Sequence, residues 1–208
     1  MTIKDNLGVF VPLWLKNKTV IGITGGISAG KTTAAIFFHR KGISVINADK
    51  IGHQILLQEK IKEKITKTFG KNVISKTQID RGKLGEIVFQ NQKKLNALNK
   101  IIHPILINEI FQKIEKTSCK TILIDAALLL DWKLDKFCKY VILITSKKKN
   151  RIKRLISEQK LSRKEATERI SSQKEPCGKI DFIIENDSTL SVFETKLQKV
   201  WNEMKLEI

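Results

Sequence analysis

Short apolar runs recur along the chain, and most are rich in β-branched residues and bounded by glycine or polar residues. Such runs are typical of strands that are buried on both faces of a parallel sheet. Five of them predict strands, at 19–24, 44–46, 121–125, 140–144 and 182–184.

Polar stretches with apolar residues at three- and four-residue spacing predict helices around these strands. The helices are expected at 31–41, 147–158, 162–173 and 190–207. Gly42 follows the first helix, and Ser162 with Glu165 forms a capping box at the third. Because strand, helix and strand alternate from residue 19, we expect a three-layer α/β fold with a five-stranded parallel sheet.

Residues 49–119 do not show this alternation. Apolar residues at helical spacing, such as Ile61 and Ile65, are interleaved there with many Lys, Glu and Gln residues. We therefore predict a helical insertion without strands, in which Asp80 caps one helix and the pair His103-Pro104 begins another.

The segment from Gly25 to Thr32 matches G-x-x-x-x-G-K-[ST] in full, after a predicted strand and before a predicted helix. Its glycines allow close approach to phosphates, and its successive N–H groups form an anion site at a helix N-terminus. Lys31 is expected to reach the β and γ phosphates, and the Thr32 hydroxyl is suited to Mg²⁺. The motif predicts ATP binding by a P-loop NTPase or kinase fold, through Gly25, Gly26, Ile27, Ser28, Ala29, Gly30, Lys31, Thr32 and Thr33.

Two carboxylates lie at the ends of predicted strand regions. Asp49 is placed to hold or deprotonate a hydroxyl nucleophile, with capping of a helix near Lys50 as the alternative. Asp125 closes its strand as a Walker B carboxylate does, which suits the water shell of Mg²⁺. Because any strand can end in Asp, the alternative is that Asp125 has no metal role.

The segment 147–154 is strongly basic, with six Lys or Arg among eight residues. On a helix these side chains spread over several faces, so most are expected to form a solvated surface. Arg154 is the candidate for a phosphate contact, because a guanidinium fork suits a γ phosphate in transit. His103 is either a donor to a substrate oxygen or a capping residue, and no Cys or second His nearby favours a metal site.

Composition adds a large positive charge, since 39 basic residues face 21 acidic ones for a net charge of +18. Such a field attracts anions, including nucleic acid, membranes and phosphorylated small molecules, although biased codon usage also explains a Lys-rich chain. Three cysteines without paired spacing favour a reducing compartment. The apolar segment 7–15 is too short to span a bilayer, so we expect a cytoplasmic protein without a membrane partner.

Several segments, taken in order, resemble the dephospho-CoA kinase family over about residues 20–186. They are the P-loop at 21–33, the segment 42–49 ending in Asp49, Asp80-Arg81-Gly-Lys-Leu84 with Val88-Phe89, His103-Pro104, the segment 125–129, Arg154-Leu155, the segment 169–173, and Asn186. The P-loop alone is not specific to this family, whereas the ordered set is.

The resemblance implies transfer of the ATP γ-phosphoryl group, with Mg²⁺, to the ribose 3′-hydroxyl of dephospho-CoA, which completes coenzyme A synthesis. It implies catalytic roles for Lys31, Asp49 and Arg154. It also implies acceptor contacts by Asp49, Arg81, His103 and Leu128, a nucleotide contact by Asn186, and metal contacts by Thr32 and Asp125.

The same resemblance implies a division of the chain. Residues 1–18 would be an N-terminal extension, 19–48 and 120–208 a nucleotide-binding core, and 49–119 a helical CoA-binding insertion. A helical lid is expected at about 146–163, inside the core.

Some positions depart from the family pattern. Asn47 is found where the family has an Asp, Ala127 where it has a Pro, and Asp131 where it has a Glu. Arg151 is found where a Gln is usual, and Glu158 where a second lid Arg is usual. The change at Glu158 inverts a charge close to the expected phosphates.

Two other functions stay open. One is a P-loop kinase acting on another small hydroxyl or on a nucleoside monophosphate. The other is a nucleic-acid-stimulated ATPase that draws on the charge of +18. Aromatic residues make up only 6% and no nucleic-acid-binding module is recognisable, so no nucleic-acid partner is expected. We expect a monomer or a small homo-oligomer.

Overall fold

The computed structural model describes residues 2–4, 10–12, 17–89, 91–173 and 175–206. The chain divides into two compact units. We call them the sheet unit, Met1–Ile46 with Ile114–Ile208, and the helical unit, Asn47–Lys113.

The strands of the described residues are β1 (Thr2–Lys4), β2 (Phe10–Pro12), β3 (Thr19–Gly25), β4 (Ser44–Asn47), β5 (Ile74–Ser75), β6 (Gln78–Ile79), β7 (Thr121–Asp125), β8 (Tyr140–Thr145) and β9 (Phe182–Glu185). The α-helices of the same residues are α1 (Lys31–Arg40), α2 (Ala48–Leu56), α3 (Glu59–Phe69), α4 (Arg81–Phe89), α5 (Gln92–Lys116), α6 (Lys148–Gln159), α7 (Arg163–Ser171) and α8 (Leu190–Met204). Short 3-10 turns occupy Lys71–Val73 and Leu134–Phe137.

The sheet unit is built on a five-stranded parallel sheet in the order β4-β7-β3-β8-β9. The central strand β3 places Ile23 beside Asp125 of β7 on one side and beside Ile142 of β8 on the other. All five strands predicted from the apolar runs are present, so the predicted α/β fold is confirmed. β1 and β2 pair with each other as a separate antiparallel ribbon within the segment 1–18.

Helices α1 and α8 supply the apolar layer that covers one part of this sheet. Phe38 of α1 is completely buried, and its ring lies 6.2 Å from that of Trp201. Phe193 and Leu197 of α8 join the same core as Ile21 and Ile23 of β3. This packing positions the start of α1, which the P-loop connects to the end of β3.

Helices α6 and α7 form a hairpin with a small core of their own. Leu155, Ala166 and Ile170 are its buried residues, and the P-loop residue Ile27 packs against them. The predicted capping box is confirmed, because Ser162 accepts from the N–H of Glu165 and the Glu165 carboxylate accepts from the N–H of Ser162. The hairpin therefore contacts the P-loop through apolar packing as well as through the polar contacts described below.

In the described part of the helical unit the α-helices are α2, α3, α4 and most of α5. Their apolar faces are formed by residues such as Ile51, Ile61, Ile65 and Leu106. Asp80 accepts from the N–H of Lys83 at 3.1 Å, which confirms the cap predicted for α4. The prediction of an insertion without strands was wrong, since β5 and β6 form a short hairpin there. Each of these strands has only two residues, which is too short for a periodic pattern to stand out.

The prediction that His103-Pro104 begins a helix was also wrong. Both residues lie inside α5, which begins at Gln92 and has Asn91 as its cap, with the Asn91 side chain accepting from the N–H of Lys94. Proline removes one helical hydrogen bond, yet packing of the flanking apolar residues Ile102 and Leu106 keeps the helix continuous.

None of the helices, as far as the chain is described, is both long enough and apolar enough to cross a bilayer.

Candidate active site

A cavity of about 560 Å³ opens over the P-loop in the sheet unit. Residues 26–33 form one wall, and α6 contributes Arg154, Glu158 and Gln159. The segment after β9 and the start of α8 complete it, with Asn186, Ser188, Leu190 and Phe193. The predicted phosphate-binding residues other than Gly25 therefore line the same cavity as Arg154.

The P-loop backbone includes conformations that glycine adopts easily and that residues with a side chain rarely adopt. Gly30 has a φ of 112° and immediately precedes α1, where it leaves the first turn of the helix without a side-chain cap. Ser28 has a φ of 53°, which is unusual for a residue with a side chain. The loop closes on itself through the N–H of Ala29, which donates to the Gly26 carbonyl at 3.1 Å. Lys31 folds back so that Nζ donates to the Gly25 carbonyl at 2.9 Å.

Arg154 and Asn186 hold the P-loop by donating hydrogen bonds to its main-chain carbonyl groups. Arg154 donates to the main-chain oxygens of Ser28 at 3.2 Å and Ala29 at 3.4 Å. Its other terminal nitrogen donates to the main-chain oxygen of Asn186 at 2.6 Å. The Asn186 side chain, which is buried, donates to the Ala29 oxygen at 2.9 Å. These two residues thus connect the P-loop, α6 and the end of β9.

Arg151 and Gln173 contact the P-loop one residue earlier, at Ile27. Arg151 Nε donates to the Ile27 carbonyl at 2.9 Å, and the Ile27 N–H donates to Gln173 Oε1 at 2.9 Å. Arg151 Nη2 also donates to that same oxygen of Gln173. Desolvation lowers the pKa of Arg151, as expected for a guanidinium packed between the loop and the hairpin.

Glu158 brings a negative charge to a cavity that is shaped for anions. Its carboxylate accepts from the Ser28 hydroxyl at 3.3 Å. Arg151, Arg154 and Glu158 are spaced three and four residues apart on α6, so all three lie on the face that meets the P-loop.

Asp187 anchors the beginning of α6. Its carboxylate accepts from the N–H of Lys147 at 2.7 Å, the Ser146 hydroxyl at 2.8 Å and the Asn150 amide at 3.0 Å. Desolvation opposes the charged form, but these hydrogen bonds outweigh it and lower the pKa of Asp187. The negative charge at the start of a helix also complements the helix dipole.

Oxygen donors suited to Mg²⁺ are available at the end of β7 and the start of α1. Asp125 is buried at the carboxyl end of its strand, beside β3, and Thr32 is the second residue of α1. The described part of the chain contains no cluster of three or more His, Cys, Asp or Glu residues that could hold a metal alone. Mg²⁺ in phosphate-transferring sites takes few protein ligands and several phosphate and water oxygens, so a hydroxyl and a carboxylate fit it.

The helical unit contains a second set of polar side chains, Asp49 and His53 on α2 and Arg81 at the start of α4. Asn47, not Asp49, caps α2, because its side chain accepts from the N–H of Lys50 at 2.8 Å. Asp49 is half-buried in the first turn of α2 and lies two residues beyond Asn47, which is both the last residue of β4 and the cap of α2. It therefore does not end the strand itself, whereas the sequence predicted a strand-end position for it. Desolvation and the charge of Arg81 lower the pKa of His53, while the charge of Asp49 raises it, so the three side chains share one electrostatic neighbourhood.

The other predicted acceptor contacts are spread over both units. His103 is half-buried in the middle of α5, within the helical unit. Leu128 belongs to the sheet unit, where it is half-buried in the turn after β7 and its carbonyl accepts from the N–H of Trp132.

Sequence reasoning did not single out Arg151, Gln173 and His53 as parts of these groups. His53 stands four residues after Asp49 on a helix, which was an available signal. The segment 169–173 resembles the family, but nothing in it indicates a contact with the P-loop. Only the α6–α7 hairpin brings Gln173 to Ile27, which lies 146 positions earlier in the chain.

A model of the dephospho-CoA kinase family matches residues 19–191 of this chain. The dephospho-CoA kinase of Fusobacterium nucleatum is 39% identical over 184 residues, which cover 86% of this chain and 95% of the relative. The dephospho-CoA kinase of Bacillus cereus is 36% identical over 194 residues, with 88% and 97% covered.

Solved structures agree in fold. The dephospho-CoA kinase from Campylobacter jejuni superposes with a TM-score of 0.53 at 30% identity, over 90% of this chain and 97% of that one. The Thermus thermophilus protein TT1252 superposes with a TM-score of 0.77 at 23% identity, over 91% of this chain and all of that one, and shows the fold alone. The cavity opens over a P-loop that follows the central strand of a five-stranded parallel sheet, and the family model matches most of the chain. The chain therefore belongs to the dephospho-CoA kinase family.

Proposed function

We propose that this protein transfers the γ-phosphoryl group of ATP to the ribose 3′-hydroxyl of dephospho-CoA, producing coenzyme A and ADP. The observation that carries the proposal is the cavity formed jointly by the P-loop and Arg154, inside the segment that matches the family. The acceptor is supported by the family match at residues 19–191, since a P-loop alone does not identify it.

ATP is proposed to place its phosphates against residues 25–33. The N–H groups at the start of α1 and the helix dipole favour negative charge there. Lys31 exchanges its contact with the Gly25 carbonyl for the β and γ phosphates. Its charge then balances the negative charge that spreads over the transferring group.

Arg81 and His103, within the predicted insertion at 49–119, are proposed to contact the acceptor, and Leu128 is proposed as a further acceptor contact. Asp49 accepts the proton of the ribose 3′-hydroxyl. As that proton leaves, the ribose oxygen forms a bond to the γ phosphorus while the bond from phosphorus to the bridging oxygen of ADP breaks. Desolvation and the charge of Arg81 lower the pKa of His53, which favours the neutral form of this residue in the neighbourhood of Asp49.

Arg154 is proposed to contact the γ phosphate during transfer. Its guanidinium already lines the cavity and is oriented by the Asn186 carbonyl and by Ser146, whose hydroxyl it reaches at 3.3 Å. A rigid fork of this kind stabilises charge that develops in the transition state. The lid proposed at about 146–163 would exclude water and so limit hydrolysis of ATP.

Mg²⁺ is proposed to be held by Thr32 and Asp125. When bound, it would neutralise charge on the β and γ phosphates. Asn186 is proposed to contribute to nucleotide binding through its hold on Ala29.

The test is a coupled assay that follows ADP formation from ATP with dephospho-CoA as the acceptor, together with mass spectrometry of the product. We expect a product heavier by one phosphoryl group at the 3′ position. A panel of other small hydroxyl compounds and nucleoside monophosphates is run in parallel, and preference for any of these would overturn the assignment. ATPase activity that rises with added DNA or RNA but not with dephospho-CoA would also overturn it.

A further inference from the structure

The Ile27 residue of the P-loop is held on both of its peptide groups by side chains from the α6–α7 hairpin. Its N–H donates to Gln173 Oε1, and its carbonyl accepts from Arg151 Nε, each at 2.9 Å. Arg151 Nη2 also donates to Gln173, so the two side chains support each other. A Cβ added at Gly26 would collide with the Arg151 guanidinium, which shows how closely this group covers the loop.

This contact bears on the phosphate site because a trans peptide is planar and its C=O and N–H point in opposite directions. The described residues contain no cis peptide bond. Arg151 attracts the Ile27 carbonyl towards α6, and this turns the Ser28 N–H of the same peptide to the opposite side. Arg154 and Asn186 do the same for the Ala29 carbonyl and hence for the Gly30 N–H.

Holding these carbonyls also offsets the strain of the loop. Ser28 has a φ of 53°, a conformation that costs free energy and persists only where its surroundings impose it. The hydrogen bond from Arg151 lies on the peptide directly before Ser28. Arginine suits the position because its fork reaches the Ile27 carbonyl and Gln173 with separate nitrogens, which the single nitrogen of lysine does not.

We propose that Arg151 is a positioning residue for phosphoryl transfer, which acts with Gln173 through Ile27 to set the P-loop amides in their phosphate-binding orientation. The proposal rests on the proposed function only for the identity of the acceptor. The nucleotide half of the site is tested separately, by binding of ADP.

Four variants of the full chain test the pair. Arg151→Met and Gln173→Met remove the hydrogen bonds at similar side-chain length. Arg151→Lys keeps the charge but not the fork, and Gln173→Glu keeps the oxygen that accepts from Ile27 and Arg151. Lys149→Met is the control, since Lys149 is exposed on the same helix and its loss changes the net charge equally.

ADP affinity is measured by calorimetry, and kcat and the two KM values by the coupled assay. We expect Arg151→Met to weaken ADP binding about tenfold, as for loss of a charged hydrogen bond. We expect a lower kcat and a higher KM for ATP, with the KM for dephospho-CoA within about twofold of the parent. Arg151→Lys should lie between the parent and Arg151→Met, and Gln173→Glu should be less impaired than Gln173→Met. Lys149→Met should keep the parent values.

The double variant Arg151→Met/Gln173→Met should cost less than the sum of the single changes, because both side chains hold one residue. ADP affinity unchanged in Arg151→Met would overturn the proposal. So would a Gln173→Glu variant as impaired as Gln173→Met, or a parallel rise in both KM values with a lowered Tm, which a merely structural role predicts. If the parent binds ADP but does not phosphorylate dephospho-CoA, the acceptor assignment fails while the ADP titrations still decide the role of Arg151.

Discussion

The side-chain amide of Asn186 donates a hydrogen bond to the main-chain oxygen of Ala29 at 2.9 Å, across 157 positions of the chain. The same amide occupies the space that a Cβ at Gly30 would need. Asn186, the first residue after β9, therefore contacts two consecutive residues of the P-loop, Ala29 and Gly30. The absence of a side chain at Gly30 serves this contact as well as the φ of 112°.

Replacing Asn186 is expected to weaken nucleotide binding. Asn186→Ala removes the shorter of the two hydrogen bonds to the Ala29 carbonyl and leaves only the longer one from Arg154. A loss of about tenfold in ADP affinity is expected from this weaker hold on the loop. Calorimetry with ADP measures the change. Asn202→Ala, on the exposed side of α8, is the control and should bind ADP as the parent does. Equal affinities for parent and Asn186→Ala would contradict the bracing role.

Replacing Asp49 is expected to affect chemistry and leave nucleotide binding intact. Asp49→Asn keeps the size of the side chain but removes the proton acceptor, so kcat should fall by about 100-fold or more. ADP affinity should stay at the parent value. Glu59→Gln, which neutralises the acidic residue in the first turn of α3, is the matched control and should keep kcat. A near-parental kcat in Asp49→Asn would show that Asp49 is not the base.

Neutralising Glu158 is expected to strengthen ATP binding. The carboxylate lines the phosphate cavity and contacts the Ser28 hydroxyl, so it repels the incoming phosphates. In Glu158→Gln the KM for ATP should fall by about two- to fivefold, more at low ionic strength than at high, because exposed charges are screened by salt. Steady-state kinetics at two salt concentrations measures this. Glu168→Gln on the exposed face of α7 should leave the KM unchanged, whereas a rise in the KM of Glu158→Gln would show that its contact with Ser28 assists binding.

The three cysteines are expected to differ in reactivity. Burial, then the charge of Asp135, raises the pKa of Cys138 to about 12, whereas Cys177 is exposed and Cys119 is partly exposed. At pH 8 only about one Cys138 thiol in ten thousand is ionised, and the thiolate is the reactive form. Iodoacetamide labelling followed by peptide mass spectrometry should modify Cys177 first and Cys138 only after unfolding in guanidinium. Labelling of Cys138 as fast as Cys177 in the folded protein would contradict its burial.

The fold class was predictable because its signals are local. Each strand of the five-stranded sheet is a continuous apolar run, and the P-loop and the Ser162–Glu165 capping box are complete within a few residues. The errors arose where local signals are weak or conflict. The hairpin of β5 and β6 has strands of two residues, and Pro104 suggested a helix start where packing maintains the interior of α5.

The sequence by itself determined the phosphate-binding motif and the sheet that carries it, because hydrophobic periodicity and the glycine spacing need no distant partner. Only the tertiary structure decided how the P-loop is held. The contacts of Ile27 with Gln173 and of Ala29 with Asn186 join residues 146 and 157 positions apart. They exist because β8 and β9 pair beside β3 and the α6–α7 hairpin packs on Ile27, and no window of the sequence encodes that closure.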